Sequence, residues 1–256
     1  MLRNASLLSV WLLAAAACSS ETPGKIVSVV WQLERASEPS FELPNGFHVQ
    51  LEEARVGVSA LYAFAPLESD VKAQAWRWLS GVSVAHAHGG IDPESGRRVR
   101  AELLEPVLID LLASDAEPLP PVAAEAGAID ALKIELAQSG AAGELHGGSA
   151  FLRGEAERDG VRFGFQASVV LGAPPKARSI DLTGLRGQLD DGSVLHVRVN
   201  PAAWLSHAEL DRLAAPASDE PVEIGADTQV GRALVIGVRS PEAFELEVTA
   251  GDKGKS

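Results

Sequence analysis

His86 and His88 stand one residue apart in Ala85-His86-Ala87-His88-Gly89-Gly90, two of six histidines in the chain. On a strand, residues i and i+2 share a face with Cα atoms roughly 6.6 Å apart, so both imidazoles reach one ion. Two such ligands are half of a transition-metal site; a third and usually a fourth donor complete it. His146 repeats the histidine-glycine-glycine pattern in Leu145-His146-Gly147-Gly148 and is the candidate third ligand. Asp92 and Glu94 are the carboxylates nearest in sequence, and His48 and His196 are alternatives whose positions depend on strand order.

The residue types that are missing narrow the ion. Met1 is the one methionine and Cys18 the one cysteine. Beyond Cys18 there is no thioether or thiolate, which excludes a soft Cu(I) site, a cysteine zinc site and a disulfide. Imidazole with carboxylate suits Zn²⁺ or Cu²⁺. Against this, histidines at a strand end followed by turning glycines need no metal. A bare His-x-His is also far less specific than His-Glu-x-x-His. The competing reading is a structural or protein-interaction module with no metal site.

Enzyme signatures are absent. No Gly-x-Ser-x-Gly elbow, P-loop or dinucleotide fingerprint occurs. Glu52-Glu53 are strand neighbours that point to opposite faces, and Asp190-Asp191 sit in a turn, so neither pair reads as a catalytic dyad. Trp76-Arg77-Trp78 offers a stacking platform for a sugar, but the same residues serve a core and its edge. The expectation is binding rather than catalysis, and the chain is read as no enzyme.

The N-terminus says where that binding takes place. Arg3 precedes an apolar run from Leu7 to Ala17 that is too short to span a bilayer and leads through small residues into Cys18. Ala15-Ala16-Ala17-Cys18 resembles the lipobox of bacterial lipoproteins, with Ala15 where leucine is usual. The resemblance implies a cleaved signal peptide over 1–17, lipidation of Cys18 (palmitate among the acyl chains) and a tether over 18–24. It also implies a membrane partner through the anchor. Ser19-Ser20, with no aspartate beside the cysteine, implies the outer membrane, on the periplasmic or outer side, and the neighbourhood of envelope proteins. Acyl chains contribute about 0.8 kcal/mol per buried methylene, so several anchor a protein without a spanning helix. A formal net charge of −13 argues against a nucleic-acid partner.

Period-two alternation dominates the body, 25–250. Val27, Val29, Trp31 and Leu33 share one face. Phe47, Val49 and Leu51 alternate on odd positions after an Asn45-Gly46 turn, and Val56, Val58, Ala60, Tyr62 and Phe64 on even ones. A bulge near Glu52-Glu53 must shift the phase. Residues 68–81 read as a helix. Arg97 to Ala113 read as strand interrupted by Pro106, and 114–128, rich in proline and alanine, as a surface linker. Leu132, Ile134 and Leu136 resume the alternation. Asp159-Gly160 and Asp191-Gly192 each predict a hairpin turn, placing Phe163, Phe165, Leu195 and Val197 against a core. Pro201 after Asn200 and the Ser206/Glu209 box predict short helices. Residues 233–240 and 243–250 read as the last strands, and 251–256 as a disordered charged tail. The expected fold is mainly β, an antiparallel β-sandwich with two or three short helices.

Overall fold

The computed structural model describes residues 24–67, 90–92, 94–113, 118–137, 145–213 and 220–251. The predicted helix at 68–81, with Trp76 and Trp78, lies outside them. So do Cys18, His86, His88 and all of the C-terminal tail after Gly251.

The fold is mainly β. Thirteen strands among the described residues join one hydrogen-bonded sheet, which curls so that both halves cover a common core. In chain order they are β1 (Ile26–Arg35), β2 (Ser40–Glu42), β3 (His48–Phe64), β4 (Val99–Leu103), β5 (Val107–Asp110), β6 (Val122–Glu125), β7 (Gly127–Leu136), β8 (Ala150–Arg158), β9 (Val161–Val169), β10 (Ser179–Leu189), β11 (Ser193–Val199), β12 (Val222–Glu223) and β13 (Phe244–Thr249). Among the described residues two α-helices accompany them, α1 (Pro201–Leu205) and α2 (Gln229–Val238). Pairing is antiparallel except where β1 meets β11 and β12 meets β9.

Strand β3 belongs to both halves. Its first part, to Val56, pairs with β8, and its last part, from Val58, pairs with β7 and β4. Two irregularities in register make the change possible. The first, between Leu51 and Glu53, is the phase shift that the alternation demands. The second, between Val58 and Ala60, is not evident from the alternation. It turns Leu61 and Ala63 to the core and sends Tyr62 and Phe64 to the opposite face, where the rings stack 6.3 Å apart. The even-numbered set therefore stops at Ala60.

Much of the patterning holds. Val27, Val29, Trp31 and Leu33 are buried, as are Leu132, Ile134, Leu136, Leu195 and Val197. The Asn45-Gly46 turn joins β2 to β3, and Pro106 separates β4 from β5. Asp159 and Gly160 both take positive φ, 54° and 76°, the geometry that matches the twist of a two-residue hairpin between β8 and β9.

Four expectations are corrected. Residues 122–125 of the supposed linker form β6, whose small alanines fit between β4 and β1. The Asp191-Gly192 turn joins no hairpin: β10 pairs with β7, whereas β11 runs parallel to β1. Asp191 instead accepts the Ser28 amide at 3.0 Å. The Ser206/Glu209 box opens only a single 3-10 turn at Leu210–Arg212. Finally, 233–238 is the end of helix α2 and not a strand. Val230, Ala233, Leu234, Gly237 and Val238 are buried at helical spacing, and Thr228 caps the start by accepting the Gly231 amide. Gly237 lets α2 lie directly on α1, because a Cβ there would overlap the Trp204 backbone.

Candidate functional site

The polar groups with the most connected chemistry gather where β3 ends and the chain returns to β4. Ala65 donates its amide to the Arg98 carbonyl, and Val99 donates to Gly90. Ile91 bridges Arg98, so Gly90 to Arg98 lies as a hairpin-like flap at this end of the sheet. Its tip is built by Asp92, which accepts from the Ser95 amide at 2.9 Å and the Ser95 hydroxyl at 2.6 Å. Arg97 fastens it to β7 with two hydrogen bonds to Asp130, at 2.9 and 3.2 Å.

Lys133 is the centre of this arrangement. Alternation along β7 turns Leu132 and Ile134 inward and Lys133 outward, onto the face that Tyr62 reaches after the second irregularity of β3. The residue is nonetheless only 8 % exposed. Its Nζ donates to Glu94 at 3.1 Å, lies 3.6 Å from Glu135 and 3.9 Å from Asp92, and sits over the Tyr62 ring at 6.0 Å. Burial pushes the ammonium down, but the Glu94 hydrogen bond and the charges of Asp92, Glu94 and Glu135 outweigh it, leaving the pKa raised. Burial pushes the Asp92 carboxyl up; the Ser95 donors and Lys133 outweigh that and hold it below its usual range. Burial, then Glu135 and Glu102, raise the Tyr62 phenol against the opposing pull of Lys133.

Chemically, a fixed lysine already fills the position between carboxylates that a cation would take. Among the described residues no group of three or more histidines, cysteines, aspartates or glutamates is placed to hold a metal ion. Asp92 and Glu94, the carboxylates nearest His86 and His88 in sequence, are engaged by Lys133. What the network does is tie Asp92, Glu94 and Arg97 to β7.

The remaining candidates are dispersed. His146 is exposed, in a left-handed turn at φ 49°, with its ring tilted against Phe151 at 4.3 Å. It follows Leu145, which packs beside Gly57. Gly57 is seven residues along β3 from Phe64, roughly 20 Å at strand rise. His48 contacts Ser40 Oγ at 3.1 Å, and His196 lies between Thr249 Oγ1 at 3.1 Å and Glu34 at 3.8 Å, each on a different part of the sheet. Glu52 and Glu53 pair with Arg153 and Arg55.

A second polar knot lies beside the flap. Glu125, 4 % exposed, is held by Arg98 at 2.7 Å and Arg100 at 3.3 Å, and accepts the Gly24 amide at 3.0 Å. Sequence reasoning missed both Lys133 and Glu125. Alternation marks Lys133 as facing away from the core, but its burial depends on a flap 40 residues earlier in the chain.

No protein-family model and no curated protein matches the chain. Among solved structures it is similar to MbnP from Methylosinus trichosporium, with 10% sequence identity and a TM-score of 0.41, over 88% of this chain and 99% of that one.

Proposed function

We propose that this chain is a lipid-anchored binding protein of the cell envelope, whose ligand is a divalent transition ion, Zn²⁺ or Cu²⁺, held by His86 and His88. The observation that carries the proposal is the hydrogen-bonded return at Gly90. The Gly90 carbonyl is bonded to Val99, and the flap that follows is fastened by Arg97 to Asp130 and by Lys133 to Glu94. In sequence the histidine pair stands two and four residues before this return, and binding residues are commonly carried next to a hydrogen-bonded scaffold. Nothing in the described geometry draws His146 toward Gly90, so the proposal is made on His86 and His88 alone. Two imidazoles with solvent completing the shell make a labile site, suited to receiving and releasing an ion more than to holding a fold together.

The anchor is proposed from the lipobox-like Ala15-Ala16-Ala17-Cys18. No helix among the described residues is long and apolar enough to cross a membrane. The experiment is metabolic labelling with a fatty acid, for the wild type and Cys18→Ser. Label on the wild type alone supports the anchor. An unlabelled wild type rejects it.

A further inference from the structure

Three of the seven exposed large apolar side chains among the described residues lie toward one end of the sheet, whereas Leu104, Val161, Val170 and Ile236 lie elsewhere. Among the described residues, Ile26, Leu67 and Ile91 are 52%, 62% and 48% exposed. Ile26 is in register with Glu125 at the start of β1, Leu67 follows the Ala65 amide that bonds Arg98, and Ile91 bridges Arg98. Singly, such residues are ordinary on a protein surface. Their coincidence with the place where the N-terminal tether enters the fold is what needs explaining.

That entry point is fixed. Gly24 donates its amide to Glu125 Oε1 at 3.0 Å, and Arg98 and Arg100 hold the same oxygen from other sides. A Cβ on Gly24 would overlap the Glu125 side chain, so the chain passes directly over the buried carboxylate. Six residue steps separate Cys18 from Gly24, a reach of at most roughly 20 Å. The polar layer on each side of a bilayer takes up several ångströms of that reach.

We propose that this end of the sheet, carrying Ile26, Leu67 and Ile91, lies against the phospholipid bilayer. The inference rests on the anchor reading above and adds an orientation to it. A lipid on Cys18 leaves too short a leash for the opposite end, the β8–β9 turn at Asp159-Gly160, to take this place. The turn lies beside the first residues of the 17-residue β3, whereas Gly24 bonds Glu125, whose partner Arg98 accepts the Ala65 amide just past the last residue of β3. The three apolar side chains then meet the interface, and the flap after His86 and His88 is held next to the membrane surface. An ion bound there is exchanged at the bilayer rather than in bulk solvent.

The full-length acylated protein, reconstituted into phosphatidylethanolamine–phosphatidylglycerol vesicles, tests this. A thioether on Cys18 leaves no free thiol, so one introduced cysteine accepts one environment-sensitive dye. Dye on Ile91→Cys or Leu67→Cys should shift to shorter wavelength and be quenched several-fold more by spin-labelled lipids than dye on Val161→Cys, which is 61% exposed at the far turn. Equal quenching at the three positions, or stronger quenching at position 161, with Cys18 acylated by mass spectrometry, overturns the orientation alone. Unacylated Cys18 in the wild type overturns the anchor reading and the orientation with it.

Discussion

The Glu125 carboxylate meets the Arg98 guanidinium at 2.7 Å inside the sheet, and the same oxygen receives the amide of Gly24, 101 residues earlier in the chain. One buried acid thus ties the tether, β6 and the flap before β4 into a single unit. Its other oxygen and Arg98 Nε have no hydrogen-bond partner among the described residues, so the knot is not fully satisfied. Glu125→Gln should leave two guanidiniums poorly compensated. The expected loss is about 3 kcal/mol, the low end for breaking a buried pair, because Arg98 keeps 27% of its side chain exposed. Urea melts measure it, and a loss under about 1 kcal/mol would show that the knot contributes little.

The lysine network has its own signature. Lys133→Met should cost about 2 kcal/mol at neutral pH, between the values for exposed and buried pairs. Asp92 has a lowered pKa in the fold, so its contribution is present above about 3.8 and is lost as pH falls through the folded value. The gap between wild type and Lys133→Met should therefore narrow below pH 3.8. Lys133 itself is raised, so the wild type should lose its contribution as pH climbs past 10.5. Chemical denaturation across pH reads both flanks. A gap that stays constant into acid would mean that Asp92 and Lys133 are not coupled.

Two phenylalanines on β9 separate core from rim. Phe165 is fully buried, whereas Phe163 is half-buried and meets Phe47 edge-on at 6.1 Å. Phe165→Ala should cost about 3–5 kcal/mol, and Phe163→Ala about half as much. Equal losses would place both rings in the same environment.

These two residues also mark how far the sequence is legible. Alternation predicts that both face inward, and the Asp159-Gly160 turn predicts their hairpin. How deep each ring sits depends on what covers that end of β9, a tertiary matter. The same limit explains Ala233 to Val238: a short apolar run carries no decisive period, and the Thr228 cap and the seat of Gly237 on Trp204 make it helical. Asp191-Gly192 has the composition of a hairpin turn, yet strand order sends β11 to β1, and composition does not encode strand order. Lys133 and Glu125 become notable only through partners about 40 and 27 residues earlier in the chain. His86 and His88 remain the residues that sequence alone singles out, and the fixed return at Gly90 is what the fold adds to them.

Calorimetry with Zn²⁺ and Cu²⁺ on the chain from Ser19 onward tests the central claim most directly. The account predicts one ion per chain, with binding abolished by the paired substitution His86→Ala and His88→Ala. It predicts no change with His146→Ala or His207→Ala. Affinity should fall as pH drops through about 6.5, where free imidazole is lost. A double variant that binds as tightly as the wild type would contradict the account and leave the histidine pair as ordinary residues of a structural or protein-interaction module.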